Sequence, residues 1–464
     1  MFDIAIVGLY LLVLIVIGLR GGNAVKNAAD FTASDKRYGS AVMFATLSAS
    51  FVGGGYSTGN AAAAFESGIG TALTLFGFSI GMVLVGKYLV KGVARFPNAR
   101  TVGDVIGSAY GQVAHGVTGV FSYLCCAGVV GAQMSAIGTV FHTLLGVSPK
   151  IGTVIGCGVV LLYTTFGGLQ SVITADILQF ILMAVGTPLL LVAAVGRIGG
   201  VDEFVGGIPD GWLDPLNGIS LPTFTALFFS MMCGEALAPP YMQRLLIGRS
   251  PESTAKGTVW SGLFSMPFFL LTAGVGLAAR VLAVTDVAEQ AMPQLILTVL
   301  PIGLRGVMMA AMVSIILSAA DGFLNGAAVS LVCDTVLVLR PTLSDKAQLY
   351  WLRAVNALTG LLAMGLSFAI PHIFSVLLLA YSFWSPAVLV PLAAALLGVR
   401  SNGKTFCAAV SIGCMVSLLW NTVWHQPLGM DGCLAGIVAN LVVFYIGTRR
   451  YRRQYGTVLR LLVR

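Results

Sequence analysis

The sequence predicts an all-α polytopic membrane protein of about thirteen transmembrane helices, arranged as a five-plus-five inverted repeat with two broken helices. Three observations carry this expectation. Of 464 residues, 57% are hydrophobic and 9% charged, with a mean hydropathy of +0.92, whereas about a quarter of a soluble domain is charged. Apolar runs of roughly twenty residues, enough to cross the hydrocarbon of a bilayer, recur from Phe2 to Thr448. Two of these runs are interrupted at their centres, one by Gly53, Gly54 and Gly55, the other by GEALAPP from Gly234 to Pro240. Irregular backbone at bilayer depth survives only where protein or a polar cavity satisfies its amides, so paired breaks in matching halves point to a transporter site at the midplane.

The spans are expected at 2–19, 40–65, 70–94, 113–145, 151–167, 172–195, 221–246, 257–284, 303–334, 351–370, 372–397, 404–424 and 430–448. The first reads as a retained span, because Met1, Phe2 and Asp3 supply no basic leader segment. The loop TVGDVIGSAYGQ, from Thr101 to Gln112, reads as a short interfacial helix, and the Gly-, Pro- and Asp-rich 196–220 as the longest outer connection. The expected organisation is an extra N-terminal helix and inner loop (1–39), a first repeat (40–195), the outer connection (196–220), a second repeat (221–397), and two C-terminal helices with a basic tail (398–464). Each repeat holds an odd number of spans, so the second enters the membrane from the opposite side.

The net charge of +8 reports topology rather than a nucleic-acid partner. With the N-terminus outside, 22 of the 26 Lys and Arg residues fall on the inner side, the positive-inside pattern of a plasma-membrane protein, bacterial in type, with a cytoplasmic C-terminus. The tail from Arg449 to Arg464 then lies at the lipid surface. All eight cysteines lie in or at the ends of apolar runs without CxxC spacing, which argues against disulfides or structural zinc. His115 and His142 show no ligand spacing, and no triad, Walker or dinucleotide motif occurs in a suitable context. An enzyme, an organic cofactor and an obligatory protein partner are therefore not expected.

Chemistry is expected at the breaks and at three acids. The first break reads TLSASFVGGGYSTGN from Thr46 to Asn60. It either frees carbonyls for an ion and aims half-helix amides at a substrate, or packs a small-residue face. The second break carries Glu235, an acid at bilayer depth that would hold a cationic group or take a proton unless exposed amides cap it. Ser314, Ser318, Asp321 and Asn325 are spaced 4, 3 and 4 residues apart, one helical face offering oxygens to a hard cation such as sodium; the serines and asparagine also read as hydrogen-bonding glue between helices, which does not account for Asp321. Asp176, in ITADILQ, either joins that chemistry or complements a helix dipole.

Three motifs carry a resemblance to the sodium:solute symporter family: YTTFGGLQSVITADILQF from Tyr163 to Phe180, APPYMQRLLIGRSP from Ala238 to Pro251, and RGVMMAAMVSIILSAADGFLNGA from Arg305 to Ala327. The GGGY of the first break and the SAAD of the ninth span look closest to the high-affinity choline transporter branch. The resemblance implies a leucine-transporter-like repeat preceded by one extra helix. It also implies a sodium site made by the backbone oxygens of Ala49, Val52 and Ile315 and the hydroxyl of Ser318, with Asp176 and Asp321 able to hold a second cation or a proton. Many relatives have a second hydroxyl where this chain has Ala319. The substrate cavity is expected to be lined by Phe51, Gly54, Gly55, Tyr56, Gln133, Glu235 and Ala238, although Gln133 also reads as an amide packed between helices. Phe51 and Ala238 stand where the choline branch has cage tryptophans, so a quaternary ammonium would lose ring faces here. Tyr381 and Trp384 in the eleventh span read either as an outer gate or, as aromatics in membrane helices more often do, as packing or interfacial anchors.

The expected function is symport of sodium with a small polar organic solute, cationic or amine-bearing solutes being among those expected, and the other partner is the lipid bilayer. The alternatives are a proton-coupled carrier on the same fold and, further off, a membrane sensor or channel, which the chain's end after a basic tail disfavours.

Overall fold

The computed structural model describes residues 2–32, 37–217, 219–369, 383–427 and 430–462, with side chains to residue 451. Among them the chain is helical and forms no strand; Tyr38 and Gly248 make an isolated parallel bridge. Nine described helices are long and apolar enough to cross a membrane, or ten if the bent pair Leu221–Gly234 and Pro239–Ile247 is one span. The count of thirteen is thus not reached, for three reasons. The first broken span is divided into Ser40–Phe51, Gly55–Gly59 and Asn60–Ser67, each too short to cross alone. The spans expected at 151–167 and 172–195 run together as Pro149–Ile198. The span expected at 372–397, with Tyr381, falls partly outside the described residues.

Pro149–Ile198 turns a corner at Gly168 (φ 56°, ψ −158°), in the left-handed region that glycine adopts without steric cost. A Cβ there would meet the Phe31 carbonyl oxygen at 2.6 Å. The expected interfacial helix is present as Val102–Tyr110, capped by Thr101, whose Oγ1 accepts from Asp104 N at 2.8 Å. The 196–220 connection contains a short helix, Val201–Gly207, and a second one, Ala291–Val299, lies between two expected spans.

The two broken spans lie side by side in opposite directions. Just ahead of the first, Tyr38 O accepts from Arg249 N, just past the second, at 2.8 Å; at the other end Ile69 N, just past the first, donates to Trp212 O, ahead of the second, at 2.9 Å. Beside them stands the central helix Leu304–Leu331, continued by a π turn, Val332–Val336. In its most apolar eighteen-residue window 94% is buried, against 28% for the N-terminal helix Phe2–Ala24. Its many Ala, Gly and Ser residues let neighbours approach closely, which is how membrane helices gain packing energy without a hydrophobic drive between them. Phe2–Ala24 is fastened to its start: Asp3 Oδ1 accepts from Gly303 N at 2.7 Å and Gly306 N at 3.0 Å, and Asp3 Oδ2 from Arg305 Nε at 2.9 Å.

One residue departs from the charge count. Arg244, one of the 22 Lys and Arg residues counted on the inner side, is wholly buried. Its guanidinium belongs to the core.

Candidate functional site

At the first break the helical ladder closes and restarts. Val52 N donates to Ser48 O at 3.3 Å, and the next backbone bonds, from Tyr56 N and Ser57 N at 3.1 Å each, go to Gly53 O. The carbonyls of Ala49 to Val52 fall in the gap, the unsatisfied last turn that every helix leaves at its C-terminus. Beyond the gap, the Gly53 and Gly54 carbonyls accept from the hydroxyls of Ser57 (2.9 Å) and Thr58 (2.7 Å). Gln133 Oε1 accepts from Gly54 N at 3.3 Å, so this amide is committed to the break. A Cβ on Gly53 would stand 2.6 Å from the Ala319 methyl, which puts the gap directly against the central helix that carries Ile315 and Ser318.

At the second break, Leu221–Gly234 ends and Pro239–Ile247 begins after a 46° bend. Ala238 is the N-cap and its N–H donates to Glu235 O at 2.8 Å. Pro239 and Pro240 open the half-helix, so its first two positions offer no amide to a ligand. The Gly234 carbonyl is taken by Ser385 Oγ. Glu235, 4% exposed, accepts from the phenol of Tyr241 at 2.7 Å and from the phenol of Tyr56, which reaches across from the first break. The two interruptions are thereby joined through a single carboxylate.

Between the breaks lies a wholly buried ionic network. Asp176 Oδ1 accepts from Ser318 Oγ at 2.8 Å, and Asp176 Oδ2 from Arg244 Nη2 at 2.8 Å and from Thr46 Oγ1. Arg244 also donates through Nε to Thr46 Oγ1 (2.9 Å) and through Nη1 to Pro240 O (3.0 Å). Asp176 and Ser318 therefore meet, as the resemblance implies, yet around a guanidinium rather than an open pair of acids. Asp321, one turn on, is bonded differently: its Oδ2 accepts from Tyr163 Oη, while Oδ1 has no hydrogen-bond partner among the described residues. Ser314 bonds the Ala311 carbonyl at 2.8 Å, and neither polar atom of the Asn325 amide has a partner among the described residues.

Aromatic rings close the space. Phe51, Tyr56, Phe78 and Phe269 pack with centroid separations of 5.1 to 6.5 Å, and Phe78 meets Tyr241 at 6.3 Å. Phe51, Phe78, Phe269 and Tyr241 are at most 1% exposed, and Ala238 is wholly buried, whereas Gly55 and Tyr56 are half-buried. Trp384 is buried and its indole N–H lies 3.4 Å from Ser122 Oγ, a packing role.

With this geometry in place, comparison with known proteins identifies the chain. The model of the sodium:solute symporter family matches residues 31–413. The chain belongs to the sodium:solute symporter family. Within it, the chain is 23% identical to the sodium/pantothenate symporter of Escherichia coli over 437 residues, 90% of each protein. It is 22% identical to a high-affinity choline transporter of Caenorhabditis elegans, covering 92% of this chain and 80% of that one. A substrate-bound, outward-open Na+-coupled sialic acid symporter superposes with a TM-score of 0.85 at 14% identity, covering 97% of this chain and 98% of the other. Mhp1, of the nucleobase-cation-symport-1 family, follows at a TM-score of 0.62 and 11% identity, covering 90% of this chain and 94% of Mhp1. The fold is the leucine-transporter-like inverted repeat with two broken helices, and the chain is a multi-pass membrane protein of a transporter family.

Sequence reasoning missed several residues of the core around this site. Arg244 had a signal, a charge at the end of an expected span, where an ionisable group calls for a named partner. Thr46, Tyr163 and Tyr241 are ordinary polar residues of apolar runs. Phe78 and Phe269 are two of 25 phenylalanines, and nothing in their local sequence sets them apart.

Proposed function

We propose that the protein couples inward sodium flow to the uptake of a small polar organic solute, cationic or amine-bearing, by alternating access. The observation that supports sodium is the run of carbonyls from Ala49 to Val52 left out of both ladders and seated against the central helix through Gly53 and Ala319. A hard monovalent cation is suited by such oxygens. Ala49, Val52 and Ile315 would supply carbonyls and Ser318 a hydroxyl; that hydroxyl donates its hydrogen bond to Asp176 and keeps its lone pairs for the ion. Asp176 and Asp321 lie behind this site, one balanced by Arg244 and the other with an unpartnered oxygen.

The solute would enter between the breaks, where Phe51, Gly54, Gly55, Tyr56, Gln133, Glu235 and Ala238 converge. Glu235 supplies charge and the rings of Tyr56 and Tyr241 supply faces for a cation. Sodium would stabilise the outward-open arrangement and its gradient would give direction. The repeats span 40–195 and 221–397, flanked by 1–39 and 398–464 and joined by 196–220, with the N-terminus outside and the basic tail in the cytoplasm.

Thermal unfolding of the purified protein in NaCl and in KCl of equal strength tests the ion. A ligand of the folded state raises apparent stability, so sodium should raise the melting temperature and Ser318→Ala should shift the half-saturating concentration up by about tenfold, the value of roughly one charge-assisted bond. Equal melting temperatures in the two salts, with uptake in proteoliposomes that follows a pH gradient instead, would overturn the reading.

A further inference from the structure

Away from the breaks, three residues far apart in sequence converge: Asp104 on the interfacial helix Val102–Tyr110, His115 at the start of Gln112–Leu145, and Asp334 in the π turn that ends the central helix. One ligand-capable atom from each lies within 4.8 Å of the other two. His115 Nε2 is 2.9 Å from Asp334 Oδ1 and 3.6 Å from Asp104 Oδ1. Ligands bound to one tetrahedral zinc at about 2.0–2.2 Å stand about 3.3–3.6 Å apart, so the 3.6 Å separation already fits one ion, and the 2.9 Å hydrogen bond would open by a few tenths of an ångström to admit it.

The cluster is built rather than incidental. Asp334 is wholly buried and its Oδ2 has no hydrogen-bond partner among the described residues, although Oδ1 accepts from Thr101 and contacts His115. A buried carboxylate oxygen left unsatisfied is costly, and a cation is the partner that would satisfy it. Three glycines clear the space: a Cβ would lie 2.3 Å from the Asp334 carboxyl carbon at Gly103, 2.4 Å from Asp334 Cβ at Gly119, and 2.8 Å from the His115 ring at Gly107. Arg100 N donates to Asp104 Oδ2 at 2.8 Å, leaving Oδ1 toward His115. The side chains of His115 and Asp104 are 17% and 20% exposed, which gives an ion a way in.

We propose that Asp104, His115 and Asp334 form a binding site for a divalent transition ion of the zinc type, with one coordination position left to water. The donor set decides the class. An imidazole nitrogen suits zinc and its neighbours, while calcium takes six to eight oxygens and magnesium an oxygen octahedron. Bound there, the ion ties the interfacial helix to the ends of two membrane helices, on the face that the Lys and Arg distribution assigns to the cytoplasm. It stabilises the present arrangement of all three.

Equilibrium dialysis of the full chain, free of added histidine tags, against ZnCl2 tests the site. One zinc per chain is expected, with Asp104→Asn and His115→Gln each weakening it by about tenfold or more while keeping the wild-type elution profile on size exclusion. No saturable zinc on the wild-type protein, or zinc retained by both variants, would overturn the proposal. In that case the histidine only hydrogen-bonds Asp334 and stands within ion-pair distance of Asp104.

Discussion

Arg244 Nη2 lies 2.8 Å from Asp176 Oδ2 with both side chains closed to solvent, so an ion pair links the second broken span to Pro149–Ile198 and, through Thr46, to the first. Removing one member of a buried pair strands the other charge and costs about 3–5 kcal/mol, whereas replacing both with apolar residues is often close to neutral. Asp176→Asn and Arg244→Met should each lower the melting temperature sharply, and the double variant Asp176→Leu/Arg244→Met should be more stable than either. Thermal unfolding in one detergent, with a double-mutant cycle, checks this; a double variant worse than both singles would show that the pair is not what holds the spans.

How much of this was legible beforehand follows from the range of each signal. Both breaks were, because glycine triplets and paired prolines act on their own backbone and leave a local mark. Asp176, Ser318, Asp321 and Glu235 were legible as polar groups where the bilayer makes polarity expensive. Their partners were not: Arg244 is 68 residues from Asp176, and Tyr56 is 179 from Glu235. His115 lacks ligand spacing in sequence because its second carboxylate is 219 residues away and is brought close only by the fold. Chain topology, rather than composition, made those pairs.

The Glu235 carboxylate can be tested as charge separately from its role as a link. Glutamine keeps an acceptor for one tyrosine and offers an amide to the other, so Glu235→Gln should fold normally. It should weaken a cationic solute by about tenfold or more, the scale of one charge-assisted contact, and leave a neutral solute unchanged. Tyr241→Phe should affect both solutes alike. Binding measured by thermal shift across amines, betaines, amino acids and carboxylates separates the two; a cationic ligand held equally by wild type and Glu235→Gln would exclude charge recognition.

Gly168 makes a prediction about the corner in Pro149–Ile198. A side chain there pays about 1–3 kcal/mol for a backbone of positive φ and extended ψ that is essentially confined to glycine and also meets Phe31 O and Cα within 3.0 Å. Gly168→Ala should therefore cost more than an alanine at Gly158, where a Cβ has open space within 4 Å. Comparing the unfolding temperatures of the two variants decides it, and equal values would mean that the corner relaxes freely.

The contact between Gly53 and Ala319 offers the sharpest test of the ion site, because it changes only how closely two elements approach. A methyl on Gly53 would sit 2.6 Å from the Ala319 methyl, far inside van der Waals contact, so Gly53→Ala must push the carbonyl gap away from the helix bearing Ile315 and Ser318. None of the proposed ligands is removed, yet the distance between its two halves grows. Half-saturating sodium in the thermal assay should rise several-fold. Ala319→Gly on the same background removes the clash and should restore most of the affinity, although it adds a helix-interior glycine costing about 1 kcal/mol in stability. Rescue of sodium response without rescue of stability is the signature of an ion held between these two elements. If Gly53→Ala leaves the sodium response intact, or if Ala319→Gly fails to restore a lost one, the carbonyls of Ala49 and Val52 do not share an ion with Ser318.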